Sequence, residues 1–461
     1  MKRMTISVVM VLSVCRSVLA QPDTLWTRTL GTPANADFGK HVVETEDFGY
    51  VLTGTTYSFG AIIGDAFLAK YSAAGDLLWC RTYGGAGGEG GTCVNNTIDG
   101  GFIITGVAGS YIFLLKTDNM GNREWYRCYI RYANSGGYSV KQTTDGGYII
   151  GGYYTPIIGG YNVLLLKTDA MGNQQWFSGF GGNEDDWGQS VRQTIDGGYV
   201  VAGRTESFGA GNYDAYLIKT NTNGHLQWSN TFGGTWWDDA YSVQQTDDMG
   251  YILLGSTLPS SSPGEDCDFY LIKTNTFGIQ QWTRSLGGNN DNCGYDVKQT
   301  SDLGYILVGA SYFPYLNSDI HIIKTNNLGI QQWECHYGGS GEDAGYCVQQ
   351  TSDLGYIIAG KDQNAGGYDA YLIRLESENP QLSLTPPAAD MGAYYYSHTV
   401  SVTTPPFNLE PLTFDLLPPS PNPFNSSTAI TFTLNQVAEI KLSVYDVLGR
   451  EIAALGTGHW A

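Results

Sequence analysis

The chain repeats itself seven times, and this limits its folds more than any other feature. A block reading V-x-x-T-x-D-x-G-[YF]-x-x-x-G recurs with its aromatic residue at Tyr50, Phe102, Tyr148, Tyr199, Tyr251, Tyr305 and Tyr356. Its valine (Val42 to Val348), threonine (Thr45 to Thr351), aspartate (Asp47 to Asp353) and both glycines keep their places in every copy. A second block follows each: Lys, then Gly five residues on, then Trp nine residues on. It begins at Lys70, Lys116, Lys167, Lys219, Lys273 and Lys324, and Arg374 takes the seventh place with no tryptophan after it. One tryptophan, Trp26, stands before the first copy.

Each block reads as a hairpin. Ser190 to Thr194 is a strand, Asp196-Gly197-Gly198 a turn and Tyr199 to Ala202 a second strand. Asp bonds its own backbone in such turns, and Gly takes positive φ. Tyr216 to Lys219 makes a third strand, Asn221 to Gly224 the next turn, and the Trp228 stretch the fourth strand. Consecutive apolar residues, as in Tyr148-Ile149-Ile150, fit a sheet covered on both faces. Helical spacing is nowhere sustained. Four strands per repeat, seven times, predict an all-β chain folded as a seven-bladed β-propeller. We name the strands of a blade A to D. The repeats open with an isolated D strand, about Thr24 to Leu30, and end on a C strand at Tyr371 to Leu375. The N-terminal strand is therefore expected to complete the last blade and remove the free edge of the ring. The Gly-x-x-x-Trp spacing resembles the tryptophan-docking motif of quinoprotein-type propellers. That resemblance implies outermost-strand tryptophans, here Trp26, Trp79, Trp125, Trp176, Trp228, Trp282 and Trp333, that staple neighbouring blades. It stops there, because the adjacent Cys-Cys pair of many quinoprotein dehydrogenase sites is absent from the sequence.

Composition narrows the function. Glycine numbers 61 of 461 residues, yet no G-X-Y period points to collagen. The formal net charge is −20. Phosphate backbones and anionic membrane surfaces need a basic face, so neither is an expected partner. Lys2 and Arg3, the apolar run Val8 to Val14 and the small Ala20 follow the order of a secretory signal, expected over residues 1–20. A lipoprotein acylated at Cys15 is the poorer reading, because Val14 stands where a small residue is wanted. No other stretch is long enough to span a bilayer. Seven cysteines then remain. Cys80/Cys93 and Cys335/Cys347 are candidate bridges, and unpaired small hydrophobes are the equal alternative. No C-x-x-C pair points to zinc or redox chemistry.

The period stops after Leu375. Residues 376–415 read as a linker rich in Pro, Ser and Thr, with one strand at Tyr394 to Thr403. Residues 416–461 carry Pro421-Asn422-Pro423-Phe424-Asn425-Ser426-Ser427-Thr428 and Val444-Tyr445-Asp446-Val447-Leu448-Gly449-Arg450-Glu451-Ile452. Both segments resemble the C-terminal sorting domain of type IX secretion cargo, an Ig-like β-sandwich. Members of that family continue with a W-D stretch and a last S-G-x-Y strand, whereas this sequence stops at Trp460-Ala461, so a partial sandwich is expected. The resemblance implies export by the type IX machinery, then release or attachment at the outer cell surface.

Propeller sites generally lie where the D–A and B–C connections meet. In residues 21–375 those connections vary, while the A–B and C–D turns are uniform. Variable loops on a constant scaffold are where binding belongs. They carry Trp187, Trp236, Trp237, Tyr153, Tyr154, Tyr312 and Tyr315, rings suited to stacking on a glycan or peptide, or to packing on one another. Five residues before the strand-A valines stand Asp37, Glu89, Asp186, Asp238 and Asp343. Such hard oxygens would suit calcium; the simpler expectation is that each caps the amides of its own loop. Catalysis has no signature: the six histidines fall at unrelated repeat positions, and neither a G-x-S-x-G elbow nor a phosphate loop occurs. Only carboxylates such as Asp185, Asp186, Asp238 and Asp239 keep a hydrolase or lyase in view. The expectation is a secreted or surface-held monomer used for binding, without an enzymatic cofactor. A structural matrix protein is the plain alternative.

Overall fold

The Thr-x-Asp-x-Gly turn builds each blade from its smallest part. In the first blade Thr45 N–H donates to Gly49 O and Phe48 N–H to Thr45 O, both at 2.9 Å. The Asp47 carboxylate accepts from the Thr45 hydroxyl and the Gly49 amide, and Lys70 of strand C reaches it at 2.5 Å. The same knot recurs as Asp99–Lys116, Asp145–Lys167, Asp196–Lys219, Asp248–Lys273, Asp302–Lys324 and Asp353–Arg374. Each basic side chain is buried, and each aspartate is half exposed. The left-handed residue is the one after the aspartate, which is Gly100, Gly146 and Gly197 in three blades and Phe48, Met249, Leu303 and Leu354 in four. The repeated glycine that follows is therefore needed for space rather than for φ. A Cβ on Gly101 would lie 2.6 Å from Lys116 Nζ.

In this computed structural model residues 21–378 are described, apart from 33–34, 60–62, 86, 130–133, 259–265, 289, 314–316 and 365. Beyond them only the backbone of Val8–Val11, Asp415–Leu416, Ser427–Ile430, Phe432–Thr433, Ala438–Tyr445 and Glu451–Trp460 is described. The chain divides into two compact units, Leu19–Leu384 and a second made of Met1–Val18 with Thr385–Ala461. In the second, Val8–Val11 pairs with Ser427–Ile430, and Ala438–Tyr445 with Glu451–Trp460, both antiparallel. The expected strand at 394–403 and most of the Pro421 to Thr428 motif lie outside the described residues.

The large unit is the expected seven-bladed propeller, each blade a sheet of four antiparallel strands in the order A-B-C-D. Blade 4 shows the pattern: Asp186–Gln193, Tyr199–Thr205, Asp214–Thr220 and Leu226–Phe232. Blade 7 takes Ala344–Gln350, Tyr356–Asn364 and Gly367–Leu375 from one end of the unit and Thr24–Leu30 from the other. Thr27 pairs with Ile373 and Arg28 with Leu372, so the N-terminal strand closes the ring. A strands neighbour A strands around the axis, and D strands lie outermost.

The core sits between blades. Val200, Ala202 and Leu217 of blade 4 pack on Val243, Tyr251 and Leu253 of blade 5, and each junction repeats the arrangement with its own residues. Every D-strand tryptophan crosses a junction to the strand-B aromatic of the next blade, from Trp26–Tyr50 at 5.7 Å to Trp333–Tyr356 at 6.0 Å. Six of them also cover the C–D glycine of that blade; a Cβ on Gly121 would meet the Trp79 ring at 2.7 Å. The proposed disulfides do not form. Cys80 lies on an outer strand and Cys93 on the inner strand of the next blade, and Cys335 and Cys347 are placed the same way. All four are free thiols.

Candidate functional site at the channel mouth

A and C strands start at one end of the ring, so the D–A and B–C connections gather there. Four of the five strand-A acids are buried and occupied, and Glu89 is half-buried with the Gly85 amide on its carboxylate. Asp37 accepts from the hydroxyls of Thr56 and Ser58 and the Tyr57 amide. Asp186 takes the Gly182 amide at 2.8 Å together with the Thr205 and Ser207 hydroxyls. Asp238 takes the Gly234 amide at 2.7 Å, and Asp343 the amides of Gly339 and Gln363. These are loop caps.

A second ring of acids at the strand-C entrances escaped the sequence reading. Asp214 converges with Asp238 at Gly233, Asp319 with Asp343 at Gly338, and Asp369 with Asp37 at Gly31. Asn162 replaces one carboxylate in the Asp186 pair at Gly181. Burial first, then the facing carboxylate, raises Asp319 above the ordinary range. Its Oδ1 is buried with no donor. Among the described residues, no three His, Cys, Asp or Glu side chains gather as a metal site.

Inside this rim the strands bulge. The strand-A pairing slips between Gly39 and His41, and likewise around Thr92, Tyr138, Gln189, Tyr295 and Tyr346, always two residues before the valine. In blade 5 Tyr241 holds the same place, with its amide on Leu254 O at 2.8 Å. A bulge leaves one residue unpaired and re-aims its side chain. Here the bulged residue is half-buried, whereas the glycine or alanine before it is buried. The result is a ring of side chains facing the channel: Lys40, Thr92, Tyr138, Gln189, Tyr241, Tyr295 and Tyr346.

Four of these side chains make one arc. Tyr241 meets Tyr295 at 5.3 Å, Tyr295 meets Tyr346 at 5.4 Å, and Lys40 Nζ stands 3.6 Å from the Tyr346 ring centre. Burial, then the nearby Lys361, brings Lys40 down to about 8. Tyr312 joins through its hydroxyl, 3.4 Å from that of Tyr295. A second cluster centres on Trp187, with Tyr153 and Tyr161 each at 4.4 Å and Tyr138 at 6.4 Å. Arg204 lies over Trp187 and Tyr213, and Tyr213 meets Trp237 edge-on at 6.3 Å. Asp239 connects the two clusters. It interacts with Arg204 and Tyr241, and burial lifts it to about 6 against the Ser256 amide that donates to it.

The structure sorts the candidate aromatics. Trp187 and Tyr153 form the second cluster, Tyr312 supports the first, and Trp237 is 60% exposed at the rim. Trp236 is half-buried beside it. Tyr154 ends strand B and turns outward, edge-on to Phe177 of strand D at 5.0 Å. Tyr315 lies outside the described residues. The bulge ring itself was missed; its one signal was tyrosine in four of seven copies, two residues before the valine.

No family model matches the chain, and no curated protein does. Solved structures share its fold. An inactive virginiamycin B lyase from Staphylococcus aureus, solved with quinupristin, aligns at a TM-score of 0.51 and 9% identity, over 76% of this chain and 99% of that one. The Pan2 WD40 domain of Neurospora crassa aligns at 0.48 and 9% identity, over 77% and 96%. The extracellular domain of a hybrid two-component system from B. thetaiotaomicron aligns at 0.41 and 12% identity, over 75% and 41%. At such identities the likeness is one of fold alone. In the described residues, no helix is long and apolar enough to cross a membrane.

Proposed function

We propose that this protein is a non-catalytic binding module, secreted or held at the outer cell surface, whose channel mouth takes a glycan or peptide. The observation that carries the reading is the bulge ring. Seven repeats share one scaffold, yet at the one strand position aimed into the channel they present Lys40, Tyr138, Tyr241, Tyr295 and Tyr346. Aromatic rings with few rotamers and polar tips are economical binding groups. Export by a type IX-like route rests on the basic-apolar-small N-terminus and the two C-terminal motifs. Glycan and peptide arrays probed with the full chain test the reading, with and without calcium because carboxylates pair along the rim. Binding should be lost in Tyr295→Ala and Tyr346→Ala with the melting temperature nearly unchanged. Failure to bind any class under either condition would sink it.

A second reading, a carbohydrate-active hydrolase or lyase, is favoured by Asp239 beside the aromatic clusters, since a carboxyl lifted to about 6 is poised for proton transfer. Release of reducing ends or unsaturated products from polysaccharides is the assay. Activity that survives Asp239→Asn would exclude this residue as the acid.

A further inference from the structure

At each blade junction on the mouth side, a residue at the entrance to strand C of one blade meets strand A of the next. The backbone sets this approach: Glu89 N–H donates to Gly64 O, Ser135 to Ser110, Asp186 to Tyr161, Asp238 to Tyr213, Asn292 to Cys267 and Asp343 to Ser318. The residue after each strand-A donor then faces its partner across the junction. Where both side chains are large they touch: Tyr161 lies 4.4 Å from Trp187, and at the equivalent place Tyr368 lies 5.4 Å from Phe38. Between blades 5 and 6 the two residues at this station are Cys267 and Cys293. Both are free thiols in this structure, and a hydrogen bond runs between them. The Cys267 backbone is held from both sides, with its O accepting the Asn292 amide at 2.5 Å and its N–H donating to Asp291 Oδ1 at 2.9 Å.

We propose that Cys267 and Cys293 form an intrachain disulfide that ties the B–C loop of blade 5 to strand A of blade 6 at the channel mouth. A disulfide needs two Cβ atoms a few ångströms apart with converging bonds, and the repeated backbone clamp supplies that approach. Three of the other five described cysteines are engaged elsewhere: Cys93 lies against Val140 O, Cys347 against Val42 O and Cys128 against the Tyr126 hydroxyl. The Cys267 thiol donates toward Cys293 and lowers its pKa; the exchange can start from Cys293, although either thiolate opens it with the same product. The oxidant is a small disulfide such as oxidised glutathione. The Cys293 thiolate attacks one of its sulfurs and expels a first glutathione thiolate. The Cys267 thiolate then attacks the mixed disulfide and expels the second. Two protons leave the protein, two electrons pass to the oxidant, and one sulfur–sulfur bond replaces another.

The test treats the folded full chain with oxidised glutathione and maps its peptides by mass spectrometry without reduction. One cross-linked pair holding Cys267 and Cys293 is expected, two mass units below the sum of its free peptides. Cys267→Ser and Cys293→Ser should each remove it and leave the remaining thiol as a glutathione adduct. Oxidation should raise the melting temperature of the unsubstituted chain by several degrees and leave both variants unmoved. Recovery of these residues as separate thiols or adducts from the folded, unsubstituted chain, or bridged to any other cysteine, would overturn the proposal. That mapping decides the matter even where a variant folds poorly.

Discussion

Leu303 follows the turn aspartate with φ of 66°, where Gly100, Gly146 and Gly197 stand in other blades. Left-handed backbone costs a branched residue about 1–2 kcal/mol, part of which a glycine gives back through the entropy of its unfolded chain. Leu303→Gly should therefore raise stability by about 0.5–1 kcal/mol. A denaturant titration with an unchanged or lower midpoint would contradict that account. The turn aspartates set the behaviour in acid. Burial works against ionisation of Asp47 and Asp145, but hydrogen bonds from lysine, threonine and a glycine amide outweigh it and hold both at about 2. A depressed carboxyl contributes stability above its unfolded value near 4, and that contribution is lost as pH falls toward 2. Asp239 and Asp362, lifted to about 6 mainly by burial, act in the opposite sense, and their contribution fades as pH rises from about 4 to 6. The melting temperature should peak near pH 4–5 and fall on both sides, as a series of melts across pH 2–8 will show. The turn aspartate was legible in the sequence as a hairpin residue, and the repeated lysine as one that pairs with a nearby acid or carbonyl. Which acid it takes was not, because the sequence separates Asp47 from Lys70 by a whole strand.

At the scale of the strand, the tryptophan and the C–D glycine form one device across a junction. Gly121 has φ of 76° and lies under the Trp79 ring of the preceding blade. An added methyl group meets both a disfavoured conformation and an occupied space. Gly121→Ala should cost about 2–4 kcal/mol, whereas alanine at Gly100, where a Cβ meets nothing within 4 Å, should cost only the conformational part. Equal losses in the two variants would remove the docking contribution. The strand-A bulge lies on the same scale and was not legible. Regular alternation predicts which face a residue takes, and one inserted residue inverts the answer locally. Lys40, Tyr138, Tyr241, Tyr295 and Tyr346 therefore reach the channel from a position that simple alternation does not assign.

At the scale of the molecule, Thr24–Leu30 closes the ring by pairing with Gly367–Leu375. Removing the chain up to Gly31 exposes the last C strand and takes Trp26 from Tyr50. The melting temperature should drop sharply, and an unchanged melt would refute closure as a source of stability. Blade number, strands per blade and this closure could be read directly from the sequence. Each follows from local requirements, a turn, a strand or a docking ring, that recur at a fixed period. The tertiary structure decided what meets what across blades. It brought Asp319 to Asp343, Arg204 to Trp187, Cys267 to Cys293, and three of the four bulged tyrosines into one arc. These meetings depend on the radius of the ring and the rotation between blades. Both are set by how seven sheets pack around an axis, and neither is written in the spacing of residues along any one of them.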